Sequence, residues 1–324
     1  MLEDEVRAAE RLLAPAHTVL VISHVRPDGD AIGSLLALTL LLEAAGKKAT
    51  PILADGAPAR FSFLSGADRI RRAPQEQADL LIAVDCSDLA RLGLSEEQLG
   101  RRPDINVDHH ATNTRFARVN LVEPGAAATA EVLYDYASAV GGTIDAAIAT
   151  CLLTGLVTDT VGFRTDNVTP KVLRLAASLV ELGAPLAEVY DRGLNRRTIP
   201  AARYWGRGLS SLGWDDGIVW ASLTEEDRRA TMYFGTDDAD LINLLTTLDG
   251  ARIALVFVEQ PGGKVKVSWR SAAGIDVARL AQAFGGGGHE PAAGAMIEGD
   301  LDEIRTRVLH SARAFLHTSS GSHP

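Results

Sequence analysis

The segment Ser23–Ser34 (SHVRPDGDAIGS) packs His24, Asp28 and Asp30 between an apolar run and a helical pattern. Asp28 and Asp30 stand two apart, with Gly29 between them allowing the backbone to turn tightly. Alone, this loop is explained as well by a capping Asp30 and a turn Asp28 as by a pair of cation ligands. Other polar residues shift the balance. Asp85 directly follows LLIAV, and Asp108-His109-His110 directly follows INV. Asp159 ends the apolar helical run ATCLLTGLVTD, where an anion at a helix C-terminus opposes the macrodipole without a compensating cation.

Such a donor set has an evident use. Two divalent cations roughly 3.5–4 Å apart can hold the attacking and leaving oxygens of an in-line phosphoryl displacement. Asp85, on a central strand, is the expected bridge between them. His24 and Asp28 would complete one ion, and Asp30, His109 and Asp159 the other. Mixed imidazole and carboxylate ligation suits manganese, with magnesium as a substitute, whereas zinc prefers fewer and more nitrogen- or sulfur-rich ligands. His110 is left to contact the phosphate or transfer a proton.

A second constellation lies near the C-terminus. Gly285–Gly288 are four consecutive glycines followed by His289, and Arg270 ends an alternating strand pattern upstream. Glycines alone would suit a flexible hairpin. With Arg270 able to clamp a phosphate bidentately and His289 able to donate to another oxygen, Gly286, Gly287 and Gly288 read as a substrate cradle. Arg164, in GFRTDN, is a weaker candidate that would serve equally as a surface arginine. The four tryptophans are expected in the core, Trp269 on the face opposite Arg270.

These residues need elements to carry them. Short apolar runs at Thr18–Ile22, 49–53, Leu80–Val84 and 105–107 alternate with helical patterns at 30–45, 127–140, 144–156, 170–182 and 186–195. That alternation predicts an α/β fold with a parallel sheet. The His- and Asp-bearing segments directly follow strands, and ligands of open parallel sheets bind at the carboxyl ends. Residues 1–195 are expected as the metal domain and 196–212 as a linker. Residues 213–324 are expected as a smaller α/β substrate domain that closes a cleft over the metals.

Composition bounds the partners. The 324 residues are 46% hydrophobic and 23% charged, with a net charge of −10, as expected of a globular chain. This acidity argues against broad binding of long duplex DNA, although cations at a carboxylate cluster would reverse the field locally. No apolar run approaches the roughly 20 residues of a membrane span, and the N-terminus lacks the order of a signal peptide. The expected location is the cytoplasm, with no membrane partner. Cys86 and Cys151 are expected to be reduced and buried. A homodimer through an apolar helix surface stays open.

The segments SHVRPDGDAIGS, VDCSD, VDHH and TDT resemble, in order and spacing, the motifs of the DHH phosphoesterase family. GGGGHEPAAG and SWRS look like the associated C-terminal domain, so the resemblance covers essentially the whole chain. The fourth motif departs from the usual Asp-Thr-Gly, reading Asp159-Thr160-Val161-Gly162. Among these proteins, a chain of this size resembles the nanoRNases. That implies hydrolysis of very short single-stranded RNA or DNA to mononucleotides, with 3′-phosphate removal from phosphoadenosine phosphate as a second activity. Cleavage of cyclic dinucleotides or their linear products is the alternative on the same metals.

Overall fold

The computed structural model describes residues 3–272 and 274–319, without the side chains of His289, Thr318 and Ser319. The chain divides into two compact units, Met1–Arg196 and Arg197–Pro324. No helix among the described residues is long and apolar enough to cross a membrane.

The first unit opens with helix α1 (Glu3–Leu13), strand β1 (Thr18–Ile22), α2 (Gly29–Ala44) and β2 (Lys48–Ile52). It continues through β3 (Leu80–Val84), one-turn α3 (Glu96–Leu99), β4 (Ile105–Asp108) and β5 (Val119–Val122). Helices α4 (Thr129–Ala139), α5 (Ala146–Asp159), α6 (Pro170–Glu181) and α7 (Leu186–Tyr190) complete it. The strands form one parallel sheet in the order β2-β1-β3-β4-β5. Its central strands are apolar without alternation because both faces are covered. Val19, Val21, Ile82 and Val84 join the core formed with α2, α4 and α5, while Leu20, Ile22, Leu81 and Ala83 enter a second cluster on the other face.

Helix α2 has apolar residues around most of its circumference, and Ile32, Leu35, Leu36 and Leu38 are all buried. Each such burial contributes about 1.5–3 kcal/mol. Its approach to α5 depends on glycines: a Cβ on Gly33 would lie 2.4 Å from the Cys151 carbonyl oxygen. Cys86 and Cys151 are buried free thiols, their pKa values pushed up to about 12 first by burial.

The second unit begins with α8 (Ile199–Ser210), β6 (Gly213–Asp215), β7 (Ile218–Leu223), α9 (Glu225–Thr231), α10 (Leu241–Leu245) and β8 (Ile253–Gln260). It ends with β9 (Lys264–Ser271), α11 (Val277–Gln282), β10 (Gly287–His289), β11 (Ala292–Glu298) and α12 (Leu301–Ser319). Its six-stranded mixed sheet has the order β10-β11-β9-β8-β7-β6. Residues 196–212, expected as a linker, largely form α8, which is capped by the Thr198 side chain and carries Pro200 in its first turn. Trp269 is fully buried, whereas Trp205 and Trp220 are only half-buried. Trp214 departs from the expected core position, being 50% exposed on the edge strand β6.

Candidate metal centre

Strands β1, β3 and β4 are neighbours, so the segments that follow them emerge side by side at one edge of the sheet. His24 lies just beyond β1. Asp85 follows β3 in the left-handed region (φ 52°), and Asp108 is the last residue of β4. A non-glycine residue in that region is held there by its surroundings. Helices α2 and α5 add Asp28, Asp30 and Asp159 to the same rim.

In the first loop the capping position of α2 falls to Asp28 rather than Asp30. Asp28 is the N-cap of α2, its Oδ1 accepting from the Ala31 N–H at 3.0 Å. Asp30 lies in the first turn and instead caps another helix. Its carboxylate accepts from the Thr129 N–H at 2.6 Å and the Ala130 N–H at 3.1 Å, at the start of α4, and from the Ser34 hydroxyl at 3.0 Å. Residue 128, the N-cap of α4, is an alanine with no capping side chain, so Asp30 satisfies donors that would otherwise be orphaned.

Around Asp85 the donors fall into sets. His24 Nε2 is 3.5 Å from Asp85 Oδ2 and 3.9 Å from Asp28 Oδ2. On the other side, His109 Nε2 is 3.9 Å from Asp85 Oδ1 and 3.4 Å from Asp159 Oδ2. Each of the groups His24/Asp28/Asp85 and Asp30/His109/Asp159 has one potential ligand atom per residue, all within 4.8 Å of one another. Asp85, His109 and His110 form a third such group. Donors sharing one cation at roughly 2.0–2.2 Å stand about 3 Å apart, so these spacings suit ligands converging on an ion.

Both candidate histidine ligands have their other ring nitrogen engaged. His24 Nδ1 lies 2.8 Å from the Val25 carbonyl oxygen and His109 Nδ1 lies 3.2 Å from that of Ala126. Carbonyls fix those nitrogens as donors and turn Nε2 toward the carboxylates, the atom that would give up its proton to take a cation. His110 differs: the nitrogen nearest Asp85, Nδ1 at 3.8 Å, donates to Asp108 at 2.7 Å. That atom is therefore ill suited to ligation.

The electrostatics fit bound cations as well. Burial, then the charge of Asp85, pushes the Asp30 carboxyl up to about 7, and burial also lifts Asp159 well above the ordinary range. For His109, burial opposes the charge but is outweighed by Asp159, Asp85 and Asp30, which hold the imidazole up to about 9. At Asp85, burial is overcome by the His24 hydrogen bond and neighbouring histidines, so its carboxyl lies below the usual range. A cluster that compensates its carboxylates by retaining protons can exchange those protons for divalent cations.

After Asp159 the chain makes a tight turn. Val161, Gly162 and Phe163 all have positive φ, at 47°, 73° and 64°. The Gly162 carbonyl oxygen accepts from the Tyr190 hydroxyl at 2.6 Å. The additional Val161 of the fourth motif is thus accommodated in left-handed backbone, costly for a β-branched residue, while Asp159 keeps its place. Arg164 is exposed just beyond this turn.

In the second unit, Arg270 and Trp269 point to opposite faces of β9, as expected. The Arg270 guanidinium donates to the Trp269 carbonyl oxygen at 3.1 Å. Burial lowers its pKa, partly offset by Asp238 and Asp240. The glycine run is not an open loop, because Gly287–His289 form edge strand β10 paired with β11. A Cβ on Gly286 would lie 2.2 Å from the Gly294 carbonyl oxygen, and one on Gly288 2.4 Å from that of Ala292. These two glycines are required by strand packing, while Gly287 meets nothing within 4 Å. The His289 side chain lies outside the described residues.

Two residues escaped the sequence reading. Thr129 donates its hydroxyl to Asp85 Oδ1 at 2.9 Å, and Asn113 donates to Asp108 Oδ2 at 2.5 Å. The only signal for Asn113 was a polar residue soon after Asp108-His109-His110, and a threonine at a helix start reads as an ordinary cap.

A parallel-sheet unit with this rim, joined to a second α/β unit, defines a class. Residues 18–156 match the DHH family, N-terminal domain, and residues 230–317 match the DHHA1 domain. The chain belongs to the DHH phosphoesterase family and is an enzyme. It is 39% identical over 314 residues to the bifunctional oligoribonuclease and PAP phosphatase NrnA of Thermus thermophilus, covering 94% of this chain and 92% of that protein. The protein of the same name from Bacillus subtilis is 27% identical over 298 residues, covering 89% and 91%. Among solved structures, an exopolyphosphatase-related protein from Bacteroides fragilis shares the fold with a TM-score of 0.87. That alignment has 23% identity and covers 98% of this chain and 96% of the other.

Proposed function

We propose that this enzyme hydrolyses the phosphodiester bonds of very short oligonucleotides to mononucleotides, and removes the 3′-phosphate of phosphoadenosine phosphate, at a site for two divalent cations. Manganese is the proposed ion, with magnesium as its substitute. The observation that carries the reading is the Asp85 carboxylate, whose Oδ2 faces His24 and whose Oδ1 faces His109, the disposition of a bridge. In this assignment His24 and Asp28 complete one position, and Asp30, His109 and Asp159 the other. The similarity to proteins named as oligoribonuclease and PAP phosphatase, along nearly the full length of both chains, supports the substrate class.

Bound cations would neutralise the phosphoryl oxygens and lower the pKa of the attacking water. The protein groups do the rest. His110, its Nδ1 proton held by Asp108, uses Nε2 to contact the phosphate or exchange a proton with the leaving oxygen. Arg270, Gly286, Gly287, Gly288 and His289 are the proposed substrate contacts of the second unit, and Arg164 an additional phosphate contact of the first. Such substrates place the enzyme in the cytoplasm.

The test is hydrolysis of 5′-labelled oligonucleotides of increasing length, from the dinucleotide upward, with manganese. The expected result is mononucleotide release that falls steeply with length. No release from dinucleotide RNA would overturn the reading. Fast cleavage of a cyclic dinucleotide with negligible dinucleotide hydrolysis would replace it by the cyclic dinucleotide alternative.

A further inference from the structure

The DHH triplet is braced from behind by a chain of side-chain amides. Asn106, fully buried on β4, directs its Nδ2 at the carbonyl oxygens of Ala83 (3.4 Å) and Cys86 (3.3 Å). Its Oδ1 consequently faces outward and accepts from Asn113 Nδ2 at 2.7 Å. The same Asn113 Nδ2 donates to Asp108 Oδ2 at 2.5 Å and lies 3.2 Å from the Cys86 carbonyl oxygen. Asn113 has no freedom to flip, because its Oδ1 accepts from the Arg115 N–H at 2.6 Å. Its own N–H is tied to the His110 carbonyl oxygen at 3.1 Å.

Asp108 is fully buried, and a carboxylate in that position is costly unless its lone pairs are satisfied. Asn113 takes Oδ2, leaving Oδ1 aimed at His110 Nδ1 at 2.7 Å. Were Asp108 free to rotate, the histidine ring would lose both its orientation and its tautomer. We propose that Asn113 is a positioning residue for hydrolysis: it locks the Asp108 carboxylate so that His110 is held with Nδ1 protonated and Nε2 presented for the reaction. The inference rests on the role given to His110 above.

Two variants separate this role from simple support of the turn. Asn113→Asp keeps the acceptor for the Arg115 N–H but sets a carboxylate oxygen against Asp108, while Asn113→Ala removes both contacts. In each, kcat on dinucleotide RNA with manganese is expected to fall by roughly 10–100-fold, the range typical of an outer-shell partner. KM and calorimetric manganese affinity should be unchanged. A second readout needs no turnover. In metal-free, 15N-histidine-labelled protein, the low-field Nδ1 proton of His110, identified by its absence in His110→Ala, should vanish or move upfield in both variants. Should Asn113→Ala not fold, Asn113→Asp decides. Unchanged kcat together with an unchanged resonance in a folded variant would overturn the inference. Wild-type protein inert on dinucleotide would overturn the substrate reading instead, leaving the resonance to test whether Asn113 orders His110.

Discussion

Thr129 touches two carboxylates of the rim at once, giving its hydroxyl to Asp85 at 2.9 Å and its N–H to Asp30 at 2.6 Å. Replacing it by valine preserves shape and the backbone bond while leaving Asp85 Oδ1 one donor short. Thr129→Val should therefore weaken manganese binding by about 10–100-fold, read by calorimetry. An unchanged affinity would mean that Asp85 needs no help to face both sides. Asp85→Asn should cost more, because the residue removed is the proposed shared ligand itself: metal-dependent hydrolysis should fall by more than about 100-fold. At this scale the sequence was informative about residue type and poor about partners. Both aspartates of SHVRPDGDAIGS were legible as candidates. That Asp30 caps α4, about a hundred residues downstream, was not legible, because capping across the fold leaves no local spacing. Asn113 stayed hidden for the same reason, since its function is defined by what it touches.

The two helices that bring Asp30 and Asp159 to the rim meet through glycines. A Cβ on Gly155 would fall 2.4 Å from Asp30 Oδ1 and 2.8 Å from the Ala130 Cβ. Gly155→Ala should destabilise the protein by about 1–3 kcal/mol and weaken metal binding by displacing Asp30. Denaturant unfolding and calorimetry would read the two effects separately. Gly206→Ala is the contrasting case. Gly206 lies within α8 and its Cβ would meet nothing within 4 Å, so the change should stabilise by about 0.5–1 kcal/mol. The central strands were readable because burial on both faces produces continuous apolar runs. Two of the edge strands were not: VNLV at β5 and GWD at β6 are short, half-buried and mixed in polarity. Helix α8 was passed over because its glycines and arginines obscure the apolar period, although Thr198 and Pro200 marked its start. The glycine run was legible as special backbone but not in its packing: two of its members also answer to the close approach of β11, which cannot be inferred from a row of glycines.

For the whole molecule, a net charge of −10 meets a rim of carboxylates that retains protons. The Asp30 carboxyl is raised from 3.8 to about 7, first by burial. It therefore contributes stability that is complete below its unfolded value and lost as pH rises through about 7. The His109 imidazole is raised from 6.5 to about 9 because Asp159 and its neighbours outweigh burial. Its contribution has the same sign and is lost as pH rises through about 9. Metal-free protein should thus unfold at progressively lower temperature between about pH 4 and 9, through Asp30 up to about 7 and through His109 above it, and saturating manganese should abolish the slope. Manganese affinity should increase over the same window as both proposed ligands shed protons. A flat metal-free profile would contradict this electrostatic picture.

The claim on which everything else depends is that Asp85 is shared by two cations. Manganese titration into metal-free protein, followed by electron paramagnetic resonance, measures that directly. The account predicts two ions per chain with a spin-coupled signal, and loss of the coupling in Asp85→Asn. A single uncoupled ion, or identical spectra for the wild type and the variant, would contradict it.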